Sequence, residues 1–556
     1  MTERRFWAYV RPYRSRLAQA CLAMVGVAAL NGASVYLLKP IVDHVFVSKD
    51  FDMLWLAIVG APLLVAAKTA ASYVQNYLMS WIGQRVTQEL REDLFRRLHE
   101  LPLDYYAEHR SGEILSRATN DLNTVQTALT TVPLYLIRDT LTMLVLLGVL
   151  FHLDWRFALI SLLVLPAASA TMVVLGRKMR ASSLSSQMIM GHIYDRFQDS
   201  LHGMTLIKAH NYEEGAIERF REENLSFFNA TMRYLRASAL AGPLMEFAGS
   251  MVVAVLIYYG GKEIISGHMT PGAFFAFMGS FLAAIAPAKN LARLNSELQR
   301  GLASGERIFQ LLDERPPAAR GGVARFEGLR DSLRLEGVSF LYPRRERPAL
   351  DGASFAVAAG GRLTVVGPSG SGKTTLAQIL VGLREPASGR MTADGRDCNE
   401  FDPRSWRERT ALIEADAKLL NDTLLQNVAL GRRIVTLSEV EAACKAVGAD
   451  EFIASLPQGY LTPLGERGAR LTLEQRQRLA IARALLKDPT LVVLDDFAAF
   501  LDPDAESGLL NALEPLAAGR TLIYLAPRPP LRPLGPVVHL HRGRLVHDAA
   551  ARTACS

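Results

Sequence analysis

The chain has 556 residues, which is too long for one ordinary hydrophobic core, so at least two domains are expected. Half of the residues are hydrophobic, and this excess lies in runs long enough to cross a bilayer, about 20 residues each. The net charge is +7, but the basic residues collect in particular loops, which indicates membrane topology rather than nucleic-acid binding. The four cysteines have neither metal-ligand nor redox spacing, which argues against a zinc site: Cys21, Cys398, Cys444 and Cys555.

The N-terminal segment MTERRFWAYVRPYRSRL has no apolar core followed by a small-residue cleavage site, so we do not interpret it as a cleaved signal peptide. Its basic and aromatic residues predict an amphipathic helix on the inner membrane face. Phe6, Trp7 and Tyr9 are the expected interfacial anchors.

Apolar runs predict six membrane-spanning helices, near residues 17–43, 53–83, 131–153, 156–177, 238–260 and 271–296. The short connections at 44–52, 152–156 and 262–270 each contain a single Lys or Arg. The N-terminus and the long segments 84–130 and 178–237 are rich in these residues. Because positive residues favour the cytoplasmic side, both termini are predicted to be cytoplasmic in a multi-pass protein of the inner (cytoplasmic) membrane.

The pattern changes after residue 297, where an amphipathic helix precedes a linker rich in Pro, Gly and Arg. From about residue 331, short apolar runs such as RLTVVG, TALIEA, LVVLDD and TLIYLA alternate with helical stretches. Such alternation predicts buried strands in a mostly parallel sheet. We therefore predict a membrane domain at 1–312, a linker at 313–330 and a soluble α/β domain at 331–556.

The most specific motif is GPSGSGKTT at 367–375, which fits the phosphate-loop pattern between a predicted strand and a helix. Its glycines let backbone amides surround phosphates, Lys373 reaches the outer phosphates and Thr374 can bind Mg²⁺. Asp495, at the end of the apolar run LVVLD, is a second predicted Mg²⁺ ligand. The predicted ATP-binding positions in this loop are Gly367, Ser369, Gly370, Gly372, Lys373, Thr374 and Thr375.

Several further segments resemble ATP-binding cassette (ABC) exporters, and among these the bacterial lipid A flippases. They are LLKPIVDHVF, LPLDYYAEHRSGEILSRATND, LNSELQRGLASGERIFQLLDE, VSFLYP, NDTLLQNVALG and QRQRLAIARALLKDPTLVVLDD. The resemblance implies a six-helix all-α membrane domain joined to a P-loop ATPase domain, with ATP and Mg²⁺ as cofactors. It also implies a half-transporter that forms a homodimer or a heterodimer. Tyr342 matches the aromatic residue that stacks on adenine, and 104–112 and 201–212 match the cytoplasmic turns that contact the ATPase domains.

The sequence departs from this family at the signature that faces the partner's ATP. In place of Leu-Ser-Gly-Gly-Gln it has Leu471, Thr472, Leu473, Glu474 and Gln475. Thr472 keeps a hydroxyl, whereas Leu473 adds bulk where a backbone must approach the phosphate. Glu474 directs a carboxylate towards the phosphates, a repulsion of roughly 3 kcal/mol per charge pair at about 5 Å and an effective dielectric constant of about 20, part of which protonation or rotation could relieve.

Three catalytic positions of the family are also changed. Asp496 stands where the catalytic Glu is expected, Pro527 replaces the switch His, and Ala415 replaces the Gln that reaches Mg²⁺. A base displaced by about 1 Å can lose 10²-fold in rate. Because the phosphate loop is complete, the sequence predicts retained ATP binding with impaired hydrolysis.

Three cations lie within the predicted spans: Lys68, Arg138 and Lys289. Each lies about 22 Å from the outer end of its span at 1.5 Å per residue, in the inner half of the bilayer. By resemblance these positions hold phosphates of a lipid A-like or phospholipid substrate; snorkelling to the headgroups is the alternative. Glu246 is a further charge, for which pairing with one of these cations is the single candidate role. Two other functions stay open, a pseudo-ATPase subunit that regulates a partner and a multidrug exporter subunit.

Overall fold

The computed structural model describes residues 2–109, 111–159, 186–314, 322–343, 345–432, 434–465, 468, 470–499, 501–529 and 533–547. These residues form two compact units. The first comprises residues up to 94 together with 116–310, and the second comprises 95–115 together with the residues from 311 onward. The segment 95–115 therefore packs with the second unit, although it lies within the predicted membrane domain.

The first unit is helical. Its α-helices are Thr2–Val10, Arg14–Tyr36, Leu38–Pro40, Phe51–Glu100, Ser111–Ser116, Leu122–Pro133, Thr140–Leu153, 186–202, Met204–Ala209, Glu213–Ile265 and Pro271–Asp313, some of which continue into the second unit. Arg11–Tyr13 is a short 3₁₀ helix. Ile41–Val47, Arg117–Asp121 and Leu134–Asp139 are π-helical.

Four helical runs in the described part of the chain are long and apolar enough to cross a membrane: Arg4–Val47, Phe51–Glu100, Ser111–Leu153 and Pro271–Asp313. They contain the predicted first, second, third and sixth spans. The predicted fifth span lies inside helix Glu213–Ile265. Of the predicted fourth span, residues 160–177 lie outside the described residues.

The N-terminal helix Thr2–Val10 packs against other parts of the first unit. The ring of Phe6 meets that of Phe309 edge-on, with centroids 5.0 Å apart. The hydroxyl of Tyr9 donates to Asp93 over 2.9 Å. Trp7 remains 55% exposed. Of the three predicted anchors, Phe6 and Tyr9 therefore contact protein, and Trp7 is the one whose exposure suits an interfacial position.

Among its described residues, the second unit contains ten strands: β1 Ser332–Phe340, β2 Leu350–Ala358, β3 Arg362–Val366, β4 Ser388–Ala393, β5 Arg396–Asp397, β6 Thr410–Glu414, β7 Leu491–Asp495, β8 Thr521–Ala526, β9 Val537–His541 and β10 Arg544–His547. An antiparallel sheet has the order β2-β1-β4-β5. A six-stranded sheet has the order β10-β9-β3-β8-β7-β6. All its pairings are parallel except that of β9 with β10.

Helices accompany the strands of the second unit. They are Lys373–Leu380, Pro403–Glu408, Leu424–Val428, Leu437–Ala446, Asp450–Ala454, Leu473–Lys487, Pro503–Ala512 and Glu514–Ala517, with Leu103–Glu108 from the segment 95–115 and 3₁₀ turns at Cys398–Glu400 and Gly459–Leu461. Along β7, Val492 and Leu494 face one hydrophobic core while Leu491 and Val493 face the other. A strand buried on both faces has no polar side, which explains the continuous apolar run in the sequence.

Candidate functional site: the carboxyl edge of the parallel sheet

The strand register brings the predicted motif positions to one edge of the six-stranded sheet. The carboxyl ends of β3, β8, β7 and β6 lie side by side. The amide of Gly367 donates to the carbonyl of Ala526, and the amide of Asp496 donates to that of Leu525. The residues that follow these four strands are thereby adjacent: Gly367, Pro527, Asp496 and Ala415. In sheets of this type, ligands bind outside the carboxyl ends of the strands.

The phosphate loop has the backbone that its glycines permit. Gly370 and Gly372 have φ values of 78° and 108°, which side-chain-bearing residues rarely adopt. A Cβ atom on Gly372 would also lie 2.2 Å from the carbonyl oxygen of Ala349. The loop ends at helix Lys373–Leu380, whose first turn directs amide groups towards the loop. This is a preformed cradle for phosphate groups.

Lys373 lies inside this loop and is 4% exposed. Its Nζ donates to the carbonyls of Gly367 over 2.8 Å and of Pro368 over 3.1 Å. It also lies 3.6 Å from Oδ1 of Asp496. The ammonium group is thus held at the loop by neutral acceptors and one carboxylate, where an incoming phosphate would meet it.

The two acidic residues after β7 occupy different environments. Burial raises the pKa of Asp495 to about 6, although a hydrogen bond from Thr374 opposes the shift. Its Oδ1 is buried and accepts no hydrogen bond among the described residues. Burial also raises the pKa of Asp496, while Lys373 lowers it.

An orphaned carboxylate oxygen beside a threonine hydroxyl fits Mg²⁺, which prefers oxygen ligands. Asp495 and Thr374 are the residues that would hold the ion, as the sequence predicted. When bound, Mg²⁺ neutralises charge on the nucleotide phosphates. Ala415, the third predicted metal position, carries no ligand atom in its side chain.

Tyr342, the predicted adenine-stacking residue, is linked to both the phosphate loop and segment 95–115. Its hydroxyl lies 3.0 Å from Oγ1 of Thr375. The guanidinium of Arg384 lies 4.7 Å from the centre of its ring. Arg384 also forms an ion pair with Asp104, in helix Leu103–Glu108, and burial lowers its pKa. Asp104 opens the predicted cytoplasmic turn 104–112; its partner, 280 residues away, was not predicted from the sequence.

The backbone at Ala415 is fixed by hydrogen bonds from Gln477, a residue that sequence reasoning did not identify. Gln477 is fully buried, and its Nε2 donates to the carbonyls of Glu414 and Ala415 over 2.8 and 2.5 Å. These bonds fix the backbone after β6 without supplying a side chain to the phosphate site. The only sequence signal for Gln477 is its place on the buried face of helix Leu473–Lys487.

The changed signature still begins this helix correctly. Thr472 is its N-cap, and its hydroxyl accepts a hydrogen bond from the amide of Gln475. The Gln475 side chain accepts one from the Thr472 amide over 3.0 Å. This reciprocal capping box needs only the first and fourth residues of Thr-Leu-Glu-Gln. The two middle residues, Leu473 and Glu474, are the ones that add side chains at the helix N-terminus.

Glu474 is not the unpaired charge that the sequence estimate assumed. Arg478, one helical turn later, donates to its Oε1 from Nε over 3.0 Å and from Nη2 over 2.8 Å. This pairing neutralises much of the carboxylate, so the repulsion of about 3 kcal/mol is an overestimate. Leu473 remains half-buried at the helix start, where it adds bulk.

Pro527 follows β8 and is half-buried. Its ring supplies neither an imidazole nor a backbone N–H, so this position has no proton donor. The site therefore has groups suited to phosphate and metal, whereas three positions predicted for hydrolysis lack the expected side chains: Ala415, Asp496 and Pro527.

The predicted cargo cations lie in the first unit and differ in their surroundings. Lys68 is half-buried and Lys289 is exposed. Nε of Arg138 donates to Oδ1 of the neighbouring Asp139 over 2.6 Å. Oδ2 of Asp139 accepts from Asn290 over 2.8 Å. Arg138 and Lys289 directly precede these two residues, so they lie at neighbouring positions on the two helices. Sequence reasoning overlooked Asp139 as an intramembrane charge.

Comparison with known proteins identifies both units. Residues 17–287 match the family model for the ABC transporter transmembrane region, and residues 350–499 match that for the ABC transporter. An ATP-dependent lipid A-core flippase of Syntrophus aciditrophicus is 32% identical over 99% of this chain and 92% of its own length. The chain belongs to the ABC transporter family. A flippase of the same description from Chromobacterium violaceum is 36% identical over 98% of this chain and 93% of its own.

A solved structure supports the same architecture for this ABC transporter. It is described as a bacterial Atm1-family ABC exporter with ATP bound, and it is 26% identical, with a TM-score of 0.75 over 97% of this chain and 96% of that one. The predicted fold class is therefore confirmed, an all-α membrane domain with a P-loop ATPase domain of the ABC type. One chain carries one domain of each kind, as in a half-transporter.

Proposed function

We propose that this chain is one half of a dimeric exporter in the inner membrane, with both termini cytoplasmic, and that it binds Mg-ATP but hydrolyses it slowly. The observation that carries the proposal is the contrast at the sheet edge. Lys373, Thr374 and Asp495 retain the groups expected to bind phosphate and Mg²⁺, whereas Ala415 and Pro527 lack the groups that the family uses for hydrolysis. Random decay would not have spared one set and removed the other.

The proposed cargo is an anionic amphiphile of the lipid A or phospholipid type. Lys68, Arg138 and Lys289 support it, because charges within membrane spans are costly and are usually kept for a function. The names of the relatives agree with this cargo. The partner in the dimer is a second copy or a different half-transporter.

Two other functions each have an observation in their favour. The loss of groups on both the phosphate-loop side and the signature side favours a pseudo-ATPase subunit that regulates a partner, since neither composite site of the dimer would be intact. The pairing of Arg138 with Asp139 favours a multidrug exporter subunit, since a neutralised cation suits an uncharged cargo.

The experiment is a side-by-side measurement of Mg-ATP binding and phosphate release by the purified full chain. We expect measurable affinity and a turnover at least about 10²-fold below that of an exporter with intact motifs. Lys373→Ala should weaken binding by at least about tenfold, because it removes a charge-assisted contact to phosphate. Lys445→Ala, an exposed lysine on helix Leu437–Ala446, is the matched control and should leave affinity unchanged.

Two results would contradict the proposal. If the unaltered chain binds no Mg-ATP, the phosphate loop is a relic. If it hydrolyses ATP as fast as an intact exporter, the changed positions do not limit catalysis, and the pseudo-ATPase alternative falls with the proposal.

A further inference from the structure

The last helix of the first unit is held by three carboxylates, each from a different π-helical segment. Asp43 accepts from the Gly272 amide over 2.7 Å, Asp121 accepts from Nε of Arg307 over 2.9 Å, and Asp139 accepts from Asn290 over 2.8 Å. π-Helical turns are rare, and those that proteins contain are often at functional sites. Asp139 differs from the other two because its second oxygen binds a predicted cargo residue, Arg138.

The pair made by Arg138 and Asp139 is unequal in exposure. The Asp139 side chain is only 4% exposed, whereas the Arg138 side chain keeps 23% of its surface accessible. Both oxygens of Asp139 are therefore engaged and buried, while part of the guanidinium stays reachable. Adjacent side chains on a regular helix do not face each other, so this contact is not a consequence of sequence spacing.

We propose that Asp139 is an exchangeable counter-ion of the cargo site. It neutralises Arg138 while the site is empty and yields the guanidinium to a phosphate on the cargo. This inference rests on the proposed function, because it takes an anionic amphiphile as the cargo. The guanidinium suits the exchange, since it can bind phosphate through two parallel N–H groups.

Asn290 makes the exchange tolerable for Asp139. A buried carboxylate that loses its only partner is strongly destabilised. If Arg138 turned to the cargo, Asp139 would still accept the hydrogen bond from Asn290. It would therefore keep one of its two partners. Asn290 directly follows Lys289 on the last helix, and Asp139 directly follows Arg138. The hydrogen bond between Asp139 and Asn290 therefore holds together the two helices whose cations, Arg138 and Lys289, would contact the cargo phosphate.

Asp139 thereby moderates the affinity of the site for anionic cargo. An uncharged amphiphile gains nothing from Arg138, because it cannot displace the carboxylate. A phosphate on the cargo takes the place of the Asp139 carboxylate at Arg138, and it can also reach Lys289. The internal counter-ion thus lowers the affinity of the site for an anion and leaves its affinity for neutral cargo unchanged.

The test measures lipid binding by the detergent-solubilised full chain, using dioleoyl phosphatidic acid as the probe and dioleoylglycerol as the uncharged control. Asp139→Asn removes the charge but keeps an amide oxygen that can accept from Asn290. We expect this variant to bind phosphatidic acid at least about tenfold more tightly than the unaltered chain, since close charge pairs couple strongly. Binding of dioleoylglycerol should not change.

Two further variants assign the gain to Arg138. Adding Arg138→Ala to Asp139→Asn should abolish it, and Asn290→Ala alone should not reproduce it, because that change leaves the ion pair in place. Asp139→Ser removes the same charge with a smaller side chain and should give the same tightening. Thermal unfolding of each variant establishes that it is folded.

The outcomes separate this inference from the proposed function. If Arg138→Ala weakens phosphatidic acid binding but Asp139→Asn and Asp139→Ser do not strengthen it, the cargo site stands and the counter-ion role is overturned. If the gain persists without Arg138, the counter-ion role is likewise overturned. If Arg138→Ala has no effect in either background, the cargo assignment fails and the inference fails with it.

Discussion

Asp496 stands where the family resemblance places the catalytic base, but its carboxylate is turned towards Lys373. Its Oδ1 lies 3.6 Å from the ammonium nitrogen, and the residue has a left-handed backbone with φ of 47°. The side chain is also shorter than that of Glu by one methylene, roughly 1.5 Å. A general base must reach its water within hydrogen-bond distance, so both features place the carboxylate poorly for hydrolysis.

We therefore expect Asp496→Asn to leave the slow turnover of the chain within about twofold of its original rate, because the carboxylate does not act as the base. Asp496→Glu alone should raise turnover by less than about threefold, since groups that act as a unit are strongly non-additive. Phosphate release by the purified full chain checks both predictions, and the Lys373→Ala variant gives the background rate. A fall of tenfold or more in Asp496→Asn would identify Asp496 as a working base.

At the scale of the element, helix Leu473–Lys487 shows why a changed signature does not prevent folding. The capping box between Thr472 and Gln475 satisfies two backbone amides at the helix start. The ion pair between Glu474 and Arg478 lies one turn apart on the same face. The helix thus keeps a capped N-terminus although Leu473 and Glu474 stand where the family signature has two glycines.

Thr472→Ala should destabilise the ATPase unit by about 1 kcal/mol, because it removes the N-cap. That corresponds to a fall of about 2–4 °C in its unfolding temperature. Gln475→Glu is the matched control, since Glu also completes a capping box, and it should unfold at the original temperature. Differential scanning calorimetry of the full chain gives both values. An unchanged Thr472→Ala transition would show that the cap contributes nothing here.

The elements of the ATPase unit were predictable because their signals are local. The runs LVVLD and TLIYLA are apolar throughout, as strands buried on both faces must be, and they form β7 and β8. The phosphate loop was predictable for the same reason, since its glycines, lysine and hydroxyl residues are consecutive.

Partners distant in sequence were not predictable. Arg384 and Asp104 are 280 residues apart, and nothing local distinguishes either as half of a pair. Asp139 lay within a predicted span, yet its role depends on Asn290, 151 residues later. Glu474 is different, because its partner Arg478 lies one helical turn later, at a spacing that the sequence makes visible. The repulsion was overestimated because the charge of Glu474 was considered without this neighbour.

At the scale of the whole molecule, catalysis in this family depends on two chains. By family resemblance, each ATP lies between the phosphate loop of one chain and the signature of the other. This chain has changed both, so a homodimer would have two impaired sites. A partner with intact motifs would still meet Leu473 and Glu474 at one site, and Ala415, Asp496 and Pro527 at the other.

Restoring turnover should therefore require all changes together. We expect the combined variant Ala415→Gln, Leu473→Gly, Glu474→Gly, Asp496→Glu and Pro527→His to hydrolyse ATP at least about 10²-fold faster than the unaltered chain, because it returns misplaced and missing groups to a scaffold that already holds phosphate. Each single repair should have little effect.

Phosphate release at saturating Mg-ATP measures this recovery, and the combined variant carrying Lys373→Ala is its control. Glu474→Gly also removes the ion-pair partner of Arg478, so Glu474→Gly with Arg478→Ala tests whether the unpaired cation, rather than the restored glycine, changes the rate. If the combined variant binds Mg-ATP but stays slow, the retained phosphate loop is not set in a catalytically competent frame. The chain would then bind ATP without using it for catalysis.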